Sequence, residues 1–284
     1  MTALAAAPRS PAGPQPCAGV PLDAVAERAS TTRVADFVRG GGHTFAADRA
    51  VGQALLDAAP HLRAALHAEA TVRRHAVLAA VSAGVHVVLD LAAGIADAGT
   101  VAGVDARHIP DRVHVVAVDT DPVTVEQLRL VHRGRGNVTV LHGDPHRPQY
   151  LLAAAARTVT LHRPVLVLCL GLLQHLTDPA ALALLHAVNA RLPAGSRLVV
   201  SHLVRDEQPA HVTDWLTRLY ADTDQPLHLR TRQHVRALLR VAGLSATAVP
   251  DAHCADRRTR RDRGLLTVTT VAVCGGDGGG AGTW

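Results

Sequence analysis

The chain contains no lysine: all 29 of its basic residues are arginine. With its abundant alanine, glycine, proline and valine, this bias points to a GC-rich genome, so arginine and histidine counts carry little functional information. Aromatic residues are scarce, two each of Phe, Tyr and Trp, so the core has to be built from Leu, Val and Ala. The four cysteines, Cys17, Cys169, Cys254 and Cys274, are scattered with no CxxC pair, which indicates neither a zinc site nor a disulfide framework. No apolar run approaches the roughly 18 residues of a membrane span. The start, Met1 to Arg9, lacks a charged segment followed by an apolar core, so it does not read as a signal peptide. These absences lead us to expect a cytoplasmic protein with no membrane contact.

What is present reads as one α/β domain with appendages. Of 284 residues, 48% are apolar, enough for a sizeable core. Residues 1–30, with five prolines among small residues, read as a flexible leader, and 275–284 as a flexible tail. Residues 31–84 read as a helical lid. Its parts are a short helix from Thr31 to Phe37, a hinge at Gly40-Gly41-Gly42, a helix over 45–58 capped by Thr44, and a long amphipathic helix over 61–82. Residues 85–274 alternate between strand and helix. Strands are predicted at 85–91, 113–118, 138–142, 165–170 and 197–203, and helices at 97–108, 122–132, 148–157 and 179–191. Thr231 is read as capping a further helix closed by Gly243, followed by a strand pair at 244–249 and 265–273. Alternation of this kind predicts a doubly wound, Rossmann-like sheet.

In such a sheet the carboxyl ends of the central strands form the ligand crevice. Asp90, Ala92 and Gly94 follow the first strand, Asp119 and Thr120 the second, Asp144 and Pro145 the third, and Leu170 the fourth. A dinucleotide turn needs GxGxxG, but Ala92 and Asp97 occupy two of the three glycine positions, and a carboxylate faces a pyrophosphate unfavourably. An acidic crevice suits a cationic nucleoside, and S-adenosyl-L-methionine has an ammonium, a sulfonium and a ribose diol. Asp119 is placed to accept from both ribose hydroxyls, at roughly 1.5–3 kcal/mol per charge-assisted bond. Asp144 can accept from the adenine amino group.

The ordered pieces Arg33-Val34-Ala35-Asp36-Phe37, Phe45-Ala46-Ala47-Asp48-Arg49, Val118-Asp119-Thr120-Asp121-Pro122, Arg163-Pro164-Val165 and Leu198-Val199-Val200-Ser201-His202 carry a resemblance. So do Leu173-Gln174-His175-Leu176-Thr177-Asp178-Pro179 and Leu192-Pro193-Ala194-Gly195. In this order they resemble the class I S-adenosylmethionine-dependent methyltransferases. The likeness is nearest to the actinobacterial S-adenosyl methyltransferase family formerly catalogued as a domain of unknown function. The resemblance implies a seven-stranded, mostly parallel sheet with an antiparallel last strand. It also implies methyl transfer from S-adenosyl-L-methionine. The chain departs from the family's pattern at several positions: Ala92 for Gly, Gly42 for Lys, Thr44 for Asn, Glu69-Ala70 for Asn-Arg, and Thr100-Val101-Ala102 for Asn-x-His. If position 92 demanded a positive φ, its Cβ would cost about 1–3 kcal/mol.

His175 is the candidate general base, its competing role being that of a half-buried residue at a helix start. Phe37 and His43, beside the glycine hinge, and His202, at the fifth strand's end, are the acceptor-side candidates. His142, His146 and the segment Asp251–Asp256 offer metal-ligand chemistry only by chance proximity among 18 histidines, so no metal is expected. The Arg257–Arg263 run lacks interleaved aromatics and reads as a solvated loop rather than a nucleic-acid surface. The expected partner is a small-molecule acceptor, and a homodimer is compatible with the sequence. Two other classes remain open: a protein of this fold that binds the donor without methylating, and, less favoured by the missing glycines, a nicotinamide-dependent reductase.

Overall fold

The computed structural model describes residues 22–206, 208–248 and 267–274. The chain begins with four helices: α1 (Leu22–Glu27), α2 (Thr31–Arg39), α3 (Ala46–Ala58) and α4 (Leu62–Ser82). Strand β1 (Val87–Asp90) is followed by a small hairpin, β2 (Thr100–Val101) and β3 (Val104–Asp105). Strand and helix then alternate through β4 (His114–Asp119), α5 (Pro122–Val131), β5 (Val138–His142), α6 (Pro148–Ala156), β6 (Leu166–Cys169), α7 (Asp178–Arg191) and β7 (Ser196–Leu203). The described chain closes with α8 (Ala210–Ala221), α9 (Arg232–Val241), β8 (Ser245–Ala248) and β9 (Thr267–Cys274).

The strands assemble in the order β5-β4-β1-β6-β7-β9-β8. The first five are parallel, with Val88 paired to Val115 on one side of β1 and to Leu166 on the other. β9 runs antiparallel to both β7 and β8. Every residue of β1 and β6 is buried, which explains runs such as Val-Val-Leu without polar alternation. Val87, Leu89, Val116 and Val118 face a cluster containing residues of α6, α7 and α9, whereas Val88, Val115 and Leu168 face Val72, Val77 and Ala80 of α4. Each such side chain contributes roughly 1.5–3 kcal/mol by leaving water. The second half of α4 is therefore one of the sheet's covering layers. Its first turns, Leu62 and Leu66, pack instead with α2, α3 and α8.

The N-terminal helices are fastened by Arg33 of α2, whose side chain is 1% exposed. Its Nε donates to Asp48 Oδ2 of α3 at 2.8 Å, and its Nη1 donates to Asp121 Oδ1 in a short contact. Nη2 donates to the carbonyls of Val25 and Arg28, and the guanidinium stacks 5.0 Å from the Phe45 ring centroid. Asp48 also accepts from the backbone of Ser30 and Phe45, and Asp121 caps α5 by accepting from Thr124. Three of the pieces that carry the family resemblance thus meet at one buried cation.

Several expectations are corrected. Residues 97–108 do not form a helix. Ala102 (φ 48°) and Gly103 (φ 72°) both adopt left-handed conformations, which makes a tight hairpin turn between β2 and β3. Only the 3-10 turn Ala106–His108 is helical there. Thr44 does not cap α3: the N-cap is Phe45, whose amide donates to Asp48 at 2.7 Å. Within the stretch read as leader, Leu22–Glu27 is helical, and α8 falls in a stretch for which no element was predicted. The expectations for residues 1–21, Asp251–Asp256, Arg257–Arg263 and 275–284 lie outside the described residues. Replacing Arg33 by Met strands two buried carboxylates, so Arg33→Met is expected to cost about 3–5 kcal/mol in urea unfolding. A loss below about 1 kcal/mol would show that the cluster adds nothing net.

Candidate active site

The carboxyl ends of β1, β4 and β6 open into one cleft, roofed by α2 and the first half of α4. Its floor is the turn Leu91-Ala92-Ala93-Gly94, then Asp119 and Thr120, then Leu170-Gly171-Leu172. Val34, Val38, Leu62, Leu66 and Leu203 give it an apolar wall, broken by Gln174, His175, Tyr220 and Gln225. The sequence-predicted residues Ala92, Gly94, Asp119, Thr120, Leu170 and His175 therefore meet here.

Asp119 lies at the centre of the floor, 4% exposed. Its Oδ2 accepts from the Gly94 amide at 3.0 Å, and its Oδ1 accepts from the Asp121 amide at 2.9 Å and from Thr32 Oγ1 at 3.4 Å. Burial nonetheless pushes its pKa up to about 7. A carboxylate has about four acceptor positions, so with three filled, the Thr32 bond being the longest, Asp119 keeps at least one for a donor from a ligand. Gly94 holds φ at +70°, where a side chain is strained. Ala92 is not among the positive-φ residues, so its Cβ carries no backbone penalty of the kind considered above.

His175 is buried, and its Nδ1 pairs with the Pro226 carbonyl at 3.1 Å. That bond assigns the proton to Nδ1 and leaves a lone pair on Nε2. Burial lowers its pKa to about 4, so the ring is neutral at physiological pH. The Tyr220 ring lies 5.8 Å from it, centroid to centroid.

Other predicted residues stand elsewhere. Asp90 lies behind the turn, in an adjoining cavity of about 310 Å³. It is paired with Arg73 Nη1, its Oδ1 lacks a hydrogen-bond partner, and burial raises its pKa against the pull of Arg73. Phe37 turns toward α3, where a Cβ added to Gly52 would meet its ring at 2.3 Å. His43 is largely exposed in the glycine turn, its amide bonded to Asp36. His202 is fully buried below the cleft, with Nε2 3.1 Å from the Arg230 guanidinium and its pKa lowered to about 3. None of the three lines the cleft: Phe37 and His202 are packed against neighbouring elements, and His43 is exposed in the turn. Asp144 is exposed and accepts from the His146 amide, and neither it nor Pro145 lines the cleft. Among the described residues no metal-binding group of His, Cys, Asp or Glu occurs.

The sequence reading missed Thr32, Arg39, Arg73, Tyr220 and Gln225, all of which line the cleft. Thr32 adjoins the Arg33 motif, and Glu69 was visible only as a departure from the family pattern. Tyr220 and Gln225 follow from α8, which was not foreseen.

The sequence profile of a family described as S-adenosyl methyltransferase matches residues 20–257. The chain belongs to that family. No curated protein matches the sequence. Its fold is similar to that of a DUF574 family protein from Streptomyces avermitilis MA-4680, at 24% identity and TM-score 0.76, over 87% of this chain and 98% of that one. It is also similar to a protein of Thermobifida fusca YX inferred to be a methyltransferase, at 22% identity and TM-score 0.76, over 87% and 95% of the two chains. As a member of the S-adenosyl methyltransferase family, the protein is an S-adenosyl-L-methionine-dependent methyltransferase. The site fits that donor: Asp119 is a buried carboxylate with unused acceptor capacity, suited to a ribose diol. Among the described residues no helix is long and apolar enough to cross a membrane.

Only ionised Asp119 accepts from hydroxyls at all its lone pairs, so donor binding is linked to its deprotonation. Because its pKa in the free protein is about 7, affinity for S-adenosylhomocysteine is expected to fall about tenfold per pH unit below neutrality. Calorimetry between about pH 5.5 and 7.5 measures this, and a pH-independent affinity would refute it. The raised pKa has the opposite effect on the ligand-free fold: its contribution to stability is present at acid pH and lost as pH rises through about 7.

Proposed function

We propose that the cleft transfers the donor's methyl group to a small, largely apolar acceptor seated beneath α2 and the start of α4. The observation that carries this reading is the lining itself. Val34, Val38, Leu62, Leu66 and Leu203 adjoin the donor floor as an apolar wall, into which Gln174, His175, Tyr220 and Gln225 bring polar groups. In this reading Asp119 accepts from the ribose, the Gly143–Pro145 turn lies toward the adenine, and the Asp90–Gly94 turn lies toward the amino-acid end. The helices of residues 31–84 act as a lid that excludes water.

The donor brings an already activated methyl group, so the protein's task is chiefly to align the acceptor. Well-oriented pairs gain effective molarities that remove roughly 7–11 kcal/mol of barrier. His175 meets the remaining need. Its Nδ1 is anchored to Pro226, which leaves Nε2 to take the acceptor's proton. A ring with so low a pKa is a weak base, adequate because an alkylated oxygen or nitrogen becomes strongly acidic as the methyl arrives.

Transfer of labelled methyl from S-adenosyl-L-methionine to a panel of apolar alcohols, phenols and amines tests the reading. A mutant His175→Gln, which can still bond Pro226, is expected to lose about 10²–10⁴-fold in kcat with donor affinity unchanged. Absence of donor binding at millimolar concentration would refute the proposal, and full activity in His175→Gln would remove His175 from it.

A further inference from the structure

One end of the cleft carries charges that the ribose and acceptor assignments leave unused. Arg73 is committed, with Nη1 on Asp90 and Nη2 donating to the Ala92 carbonyl at 3.1 Å, so it braces the turn from below. Arg39, the last residue of α2, lines the same cleft with its side chain 27% exposed. The nearest carboxylate is Asp36, 4.0 Å away, and among the described residues its guanidinium makes no hydrogen bond. Burial and the positive charge of Arg73 lower its pKa, while Asp36, Glu69 and Asp97 oppose them, so Arg39 stands within the field of all four groups.

Glu69, one turn before Arg73 on α4, supplies the opposite charge. Its Oε2 accepts from Ser201 Oγ, which in turn accepts from the Gly171 amide at 2.7 Å. A Cβ on Gly171 would lie 3.5 Å from the same oxygen, so the carboxylate sits directly against the turn that leaves β6. Besides the committed Arg73, this end of the cleft thus holds a cation and an anion from different helices, both beside the turns that would flank the donor's tail.

We propose that Arg39 and Glu69 grip the zwitterionic amino-acid end of the donor, Arg39 donating to its carboxylate and Glu69 accepting from its ammonium. Arg73 is a positioning residue that keeps the intervening turn in place. The inference rests on the donor occupying this cleft.

Three ligands separate the possibilities by calorimetry on the full-length protein: S-adenosylhomocysteine, decarboxylated S-adenosylmethionine, and 5′-methylthioadenosine, which lacks the amino-acid end. Arg39→Met is expected to weaken S-adenosylhomocysteine by roughly 10- to 100-fold while leaving the other two unchanged. Glu69→Gln is expected to weaken S-adenosylhomocysteine and the decarboxylated ligand but not methylthioadenosine. Wild-type protein that binds none of the three overturns the donor reading itself. Wild-type binding with an unaltered Arg39→Met profile, or an equal loss for all three ligands in that variant, overturns the clamp alone.

Discussion

The guanidinium of Arg33 is the constraint on which the rest of the molecule depends. A buried arginine is tolerable only when nearly all its donors are met, and here they are met by two carboxylates and two carbonyls from three separate stretches of chain. One of those carboxylates, Asp121, sits two residues past Asp119 and donates its amide to it. The group that docks the N-terminal helices therefore also fixes the acidic floor of the cleft. Roof and floor are set by one network.

The same burial that secures the fold tunes the site. Asp119 titrates close to neutrality, ready to gain from hydroxyl donors beyond the single long bond from Thr32. His175 is held neutral, with one nitrogen spent on a carbonyl and the other left over. Neither state depends on a nearby opposite charge: desolvation is the leading cause in both. A cationic ligand entering such a pocket restores solvation to the carboxylate and leaves the imidazole uncharged.

The strands and most helices were legible because buried parallel strands leave continuous apolar runs and helix ends leave caps. Asp121 and Thr231 act as caps through their own side chains. The hairpin over 100–105 was not legible as such, because Val101 and Val104, three residues apart, also satisfy a helical pattern. Of the candidate site residues at strand ends, Asp119, Gly94 and Leu170 meet in the cleft because the sheet's polarity brings them there, whereas Asp90 turns behind it and Asp144 and Pro145 lie outside it. Phe37 and His43, assigned beside the glycine hinge, and His202, assigned at a strand end, do not line it, since a residue's place along the chain does not say which way its side chain turns.

The sequence by itself determined the α/β class, the strand ends that become a crevice, and the acidic character that turns it away from pyrophosphates. It could do so because strand burial and strand polarity are local consequences of residue pattern. Only the tertiary structure decided that Arg33 joins three distant motifs, that Ala92 sits without strain, and that Arg39 and Glu69 face one end of the cleft. Those are relations between residues far apart in the chain, set by how helices dock on the sheet.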